Sequence, residues 1–122
     1  MKSIFLADSE NHVRAALNLL IQYQPGLVIS GESDNTENLL AQVCSNPPDV
    51  ILLDLNLPGL RPKKLVQTLR VFCPNTQVIA ISVKPEHEKS AMGLELDGFI
   101  LKQLPPEVFI SSLELIISKS IK

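Results

Sequence analysis

The run Pro48-Asp49-Val50-Ile51-Leu52-Leu53-Asp54, continued by Leu55-Asn56-Leu57-Pro58-Gly59, decides the fold class. Four consecutive large aliphatics lie between two aspartates, and a Pro-Gly pair follows. The run is too short for an isolated helix, and its apolar residues do not alternate with polar ones. Such a segment suits a strand buried on both faces, as in a parallel sheet covered by helices. Val78-Ile79-Ala80-Ile81 repeats the pattern.

Working outward, strands are expected at residues 3–7, 27–31, 50–54, 78–82 and 98–101, with amphipathic segments between them. Val13, Ala16, Leu17, Leu20 and Ile21 form one apolar stripe at helical spacing. Asp34 with Glu37 has the form of a capping box before Leu39, Leu40 and Val43. Pro62 suits the first turn of a third helix, with Leu65, Leu69 and Phe72 facing inward. Pro85 is placed to start a fourth helix, whose apolar pattern is thin and which Gly93 weakens. Pro106 is placed to start a fifth, with Phe109, Leu113, Ile116 and Ile117 on one side. Five strand–helix units imply a parallel sheet with right-handed crossovers and helices on both faces.

At 122 residues the chain suits one domain able to bury its own core. Its 20% charged residues and net charge of -2, with no dense Lys/Arg run, argue against direct nucleic-acid binding. No apolar stretch is long enough to span a bilayer, and the start is not a secretory signal. Cys44 and Cys73 lack metal-ligand spacing and read as reduced thiols, which points to the cytoplasm.

In this architecture ligands bind beyond the carboxyl ends of the strands. Asp8 and Ser9 follow the first strand, Asp54 closes the third, Ser82 closes the fourth and Lys102 follows the fifth. One polar residue at a strand end is an ordinary loop residue, but four at matching ends form a set. Two close carboxylates call for a cation between them, and oxygen ligands favour Mg²⁺. A lysine and a serine hydroxyl supply charge and a donor for phosphoryl oxygens. Phosphoryl transfer needs mainly positioning and charge neutralisation, which this set provides.

The 48–59 stretch resembles the phosphoacceptor strand and loop of response-regulator receiver domains. Leu6-Ala7-Asp8, Ile81-Ser82 and Asp97-Gly98-Phe99-Ile100-Leu101-Lys102 resemble other segments of the same family, in the same order along the whole chain. Gln103 after the lysine is similar to the receivers of helix-turn-helix transcriptional regulators of the LuxR/NarL type. The resemblance implies a flavodoxin-like doubly wound sheet of order 2-1-3-4-5 with five helices, and a single receiver domain over residues 1–122. It implies that Asp54 accepts a phosphoryl group from a sensor histidine kinase, while Ser82 and Lys102 contact the phosphoryl oxygens. Asp8, Asp54 and the carbonyl of Asn56 would help hold Mg²⁺. Ser82 and Phe99 would switch the surface formed by helix four, strand five and helix five. A DNA-binding output domain outside this chain, and a homodimer, are further family expectations. The only catalysis expected is the domain's own gain and loss of phosphate.

The sequence departs from the family in three places. Ser9 stands where a second acid is usual, so weaker metal binding is expected; Glu10 could compensate or simply be solvated. The span from Ser82 to Lys102 is shorter than usual, which predicts a short or displaced fourth helix. Phe99 has no phenolic hydroxyl, and its plain alternative is a core phenylalanine. His12 and His87 read as surface residues. Two other functions remain open: a receiver-like interaction module that works without phosphorylation, and a flavin-binding domain of flavodoxin type. The second is disfavoured because Asp8-Ser9-Glu10-Asn11 is acidic and lacks the glycines of a phosphate-cradling loop.

Overall fold

The computed structural model describes residues 1–119. Strands β1 (Lys2–Ala7), β2 (Leu27–Ser33), β3 (Val50–Asp54), β4 (Gln77–Ser82) and β5 (Gly98–Leu101) alternate with helices α1 (Asn11–Gln22), α2 (Thr36–Ser45), α3 (Pro62–Phe72), α4 (His87–Ala91) and α5 (Pro106–Ser118). All pairings are parallel, in the order β2-β1-β3-β4-β5. This is the five-stranded, doubly wound arrangement expected from the sequence.

Both faces of the sheet are covered, which explains the unbroken apolar runs. On one face Ile4, Leu6, Val50, Leu52, Ile79 and Ile81 pack with Leu17 and Ile21 of α1 and with Phe109 and Leu113 of α5. On the other, Phe5, Ala7, Ile51, Leu53 and Val78 meet Leu39 and Val43 of α2 and Leu65, Val66 and Leu69 of α3. Successive residues of each central strand thus serve opposite cores.

The local readings need three corrections. Asn35, not Asp34, caps α2: its side chain accepts from the Asn38 amide at 2.8 Å. β2 runs on to Ser33, two residues beyond the expected end, and the Ser33 hydroxyl bonds the Asn35 backbone. Phe72 is exposed, because Cys73 continues the Leu65–Leu69 stripe and takes the inward place. The fourth helix is indeed short: α4 has five residues, only Ala91 is buried, and a 3₁₀ turn (Met92–Leu94) follows. The loop behind it is tied down by Arg70, which donates to the carbonyls of Thr76 and Glu95 and pairs with Asp97 at 2.9 Å. Asp97 in turn accepts the Val78 amide at 2.7 Å.

The loop after β3 is docked on the start of α2. Thr36, itself buried, donates its amide to the Pro58 carbonyl and accepts the Leu60 amide on Oγ1, both at 2.9 Å. Gly59 passes this point at φ +122°, and a Cβ there would collide with Thr36 Oγ1. Strain and collision act together, so Gly59→Ala should lower the stability by about 1–3 kcal/mol. A urea melt checks this, and an unchanged midpoint would contradict the packing described.

Candidate phosphoacceptor site

Because every strand runs the same way, the carboxyl ends of β1, β3, β4 and β5 share one edge. Asp8 lies one residue past β1 and is fully buried; Asp54 ends β3 and is 4% exposed. Lys102 follows β5, where its backbone amide donates to the Ser82 carbonyl at 2.9 Å. Its ammonium sits 2.6 Å from Asp8 Oδ2 and 3.4 Å from Asp54 Oδ2, bridging the two acids.

The remaining oxygens are also oriented. Asp8 Oδ1 accepts the Glu10 amide and Asp54 Oδ1 accepts the Asn56 amide, each at 2.9 Å. Ser9 Oγ approaches Asp54 Oδ2 at 3.5 Å, so the serine lies beside the carboxylate it would have joined as a second acid. Glu10 does not compensate: it is exposed and lies 3.9 Å from His12 at the start of α1. Arg14 reaches the Asp8 carbonyl at 2.5 Å and pairs with Glu32 at 3.4 Å.

Burial pushes the Asp8 carboxyl above its ordinary range. The Lys102 ammonium and the Glu10 amide pull it down, and the Asp54 charge pushes it up again, but desolvation dominates. Asp8 Oδ2 is a buried oxygen with no well-directed hydrogen bond, only the ammonium beside it. One positive charge faces two negative ones here. Among the described residues no third His, Cys, Asp or Glu joins them to complete a dedicated metal cage. Mg²⁺ does not need one, since it keeps several waters and takes one or two carboxylates together with phosphate oxygens. The residues present fit such an ion.

The other expected residues are placed less directly. Ser82 is buried at the end of β4, but its hydroxyl is engaged with the Lys84 amide at 3.1 Å and with Nδ1 of His87 at 2.8 Å. His87 is therefore not the plain surface residue that the sequence suggested; it is partly buried against the site. Asn56 is exposed, and its amide rather than its side chain touches Asp54. Phe99 is half-buried on β5 and lines a surface cleft with Ala91 and Met92. Cys44 and Cys73 are free thiols.

The family model for the response regulator receiver domain matches residues 4–114. The chain belongs to the response-regulator receiver family. It is 31% identical over 113 residues to the nitrate/nitrite response regulator protein NarL of Escherichia coli K12, covering 91% of this chain and 52% of that protein. The fold matches a LuxR-family DNA-binding response regulator from Staphylococcus aureus with a TM-score of 0.84 and 22% identity, over 96% of this chain and 99% of the other. A LuxR-family two-component response regulator from Aurantimonas matches with a TM-score of 0.87 and 20% identity, over 98% and 86%. The receiver spans about half the length of the NarL protein it resembles. Phosphorylation-based two-component signalling is the typical function of this family. No helix among the described residues is long and apolar enough to cross a membrane.

The raised Asp8 carboxyl has a consequence for stability. The folded chain holds that proton more tightly than the unfolded chain does. The Asp8 contribution is therefore present below about pH 3.8 and is lost as pH rises through the elevated folded value. Asp8→Asn should raise the metal-free melting temperature at pH 7, because it removes one of the two buried carboxylates that share a single ammonium. The gain should shrink as pH falls toward the carboxylate range. Thermal melts at pH 7 and pH 4 test this, and a destabilised Asp8→Asn at pH 7 would contradict it.

Proposed function

We propose that residues 1–122 form one receiver domain whose phosphoryl acceptor is Asp54. The observation that carries this reading is the Lys102 ammonium set between two buried carboxylates, 2.6 Å from Asp8 and 3.4 Å from Asp54. An Asp54 carboxylate oxygen would form the new bond to phosphorus as the phosphorus–nitrogen bond of a kinase phosphohistidine breaks, the imidazole leaving with a proton. Asp54 Oδ1 is held by the Asn56 amide, so Oδ2 is the oxygen turned toward Lys102 and the site.

Lys102 would neutralise charge on the arriving phosphoryl oxygens. Asp8, Asp54 and the Asn56 carbonyl would hold Mg²⁺, which supplies positive charge that the single ammonium cannot. Ser82 would donate to a phosphoryl oxygen, and Phe99 would turn inward behind it, changing the α4–β5–α5 surface. Loss of phosphate would be the same site's hydrolysis by water. The partners this reading implies are a sensor histidine kinase, a DNA-binding output domain outside this chain, and a second copy in a homodimer. The cytoplasm is where such a chain would work.

Ser9 and the five-residue α4 favour a second reading, a receiver-like module that signals through protein contacts without phosphate. One experiment separates the two: intact-protein mass after incubation with acetyl phosphate, with and without millimolar Mg²⁺, beside Asp54→Asn. The expected result is one phosphoryl adduct that requires both Mg²⁺ and Asp54. Ser9→Asp should lower the Mg²⁺ concentration needed, on the order of 10–100-fold by analogy with other changes around metal sites. No adduct from folded protein would overturn the first reading in favour of the second.

A further inference from the structure

Ser82 has one hydroxyl proton to donate. Its oxygen already accepts the Lys84 amide at 3.1 Å, and it stands 2.8 Å from Nδ1 of His87. With the imidazole proton on Nε2, Nδ1 is an acceptor and the Ser82 hydroxyl donates to it. Phosphoryl oxygens are acceptors too. In that tautomer a phosphoryl group on Asp54 and the ring of His87 compete for the same proton.

We infer that His87 is a positioning residue that latches the Ser82 hydroxyl in the resting arrangement, so that phosphorylation must break the Ser82–His87 bond. This rests on the reading of Asp54 as acceptor. The latch matters more here because α4 is so short. Only Ala91 of that helix is buried, and its start is otherwise held by turn bonds from the His87 amide to the Lys84 carbonyl and from the Glu88 amide to the Pro85 carbonyl. The bond thus ties the first residue of α4 to the phosphoacceptor edge. Its release frees α4 in the same step that moves Ser82. There is room for the ring to move: His87 borders an open cleft with Asn56, Arg61, Lys63 and Ser90. With only Ala91 of the shortened helix buried, the Ser82–His87 bond carries a larger share in holding α4.

Beryllofluoride, a phosphoryl mimic, tests the latch when titrated with Mg²⁺ and followed by amide NMR. His87→Ala should bind it about 3- to 10-fold more tightly than the native chain, the factor that one neutral hydrogen bond represents. His87→Asn places an amide group near the former Nδ1 and should return the affinity toward the native value. In a Ser82→Ala background, His87→Ala should have no effect, since the coupling runs through that hydroxyl. In the native chain, the ¹⁵N shift of His87 Nδ1 should change when beryllofluoride saturates the site. An affinity unmoved or weakened by His87→Ala, a gain that persists without Ser82, or an unchanged Nδ1 shift overturns the latch alone. A folded native chain that binds no beryllofluoride overturns the reading of Asp54, and the latch with it.

Discussion

Two carboxylates buried side by side repel each other and lose their hydration, so a cation must sit between them. Asp8, Lys102 and Asp54 meet this demand with one ammonium for two acids, and burial still leaves the Asp8 carboxyl pushed upward. The fold supplies the constraint. Parallel β1, β3 and β5 deliver the three residues to a single edge, and two apolar layers keep the strands from shifting. The resulting site has unspent negative charge and the proposed phosphoryl group would add more, so the proposed reaction calls for a divalent cation.

Much of this was legible in the sequence because parallel topology converts strand ends into neighbours. The bounds of β3 and β5 were read correctly, since Val50–Asp54 is a continuous aliphatic run and Gly98 marks a sharp start. β2 was read too short. Glu32 and Ser33 have no strand-like composition and belong to the strand because they pair with Leu6 and Ala7 of β1. Phe72 was misplaced for a related reason. Spacing alone puts either Phe72 or Cys73 on the inner stripe, and only packing chooses between them.

His87 was missed because no periodicity reports a side chain five residues beyond Ser82 folding back onto it. The available signal was its place just after the short turn Val83-Lys84-Pro85-Glu86, which keeps the two side chains within reach. The departures at Ser9 and around α4 were visible, but their structural form was not. The first leaves a hydroxyl 3.5 Å from Asp54, and the second transfers the anchoring of the following loop to Arg70 and Asp97.

The central claim is that Asp54, and not the equally buried Asp8, receives the phosphoryl group. Borohydride reduces an acyl phosphate, so an acceptor aspartate becomes homoserine and can be located by peptide mass. After treatment with acetyl phosphate and Mg²⁺, homoserine should be found at position 54 and nowhere else. Homoserine at position 8, or at neither position, would contradict the account.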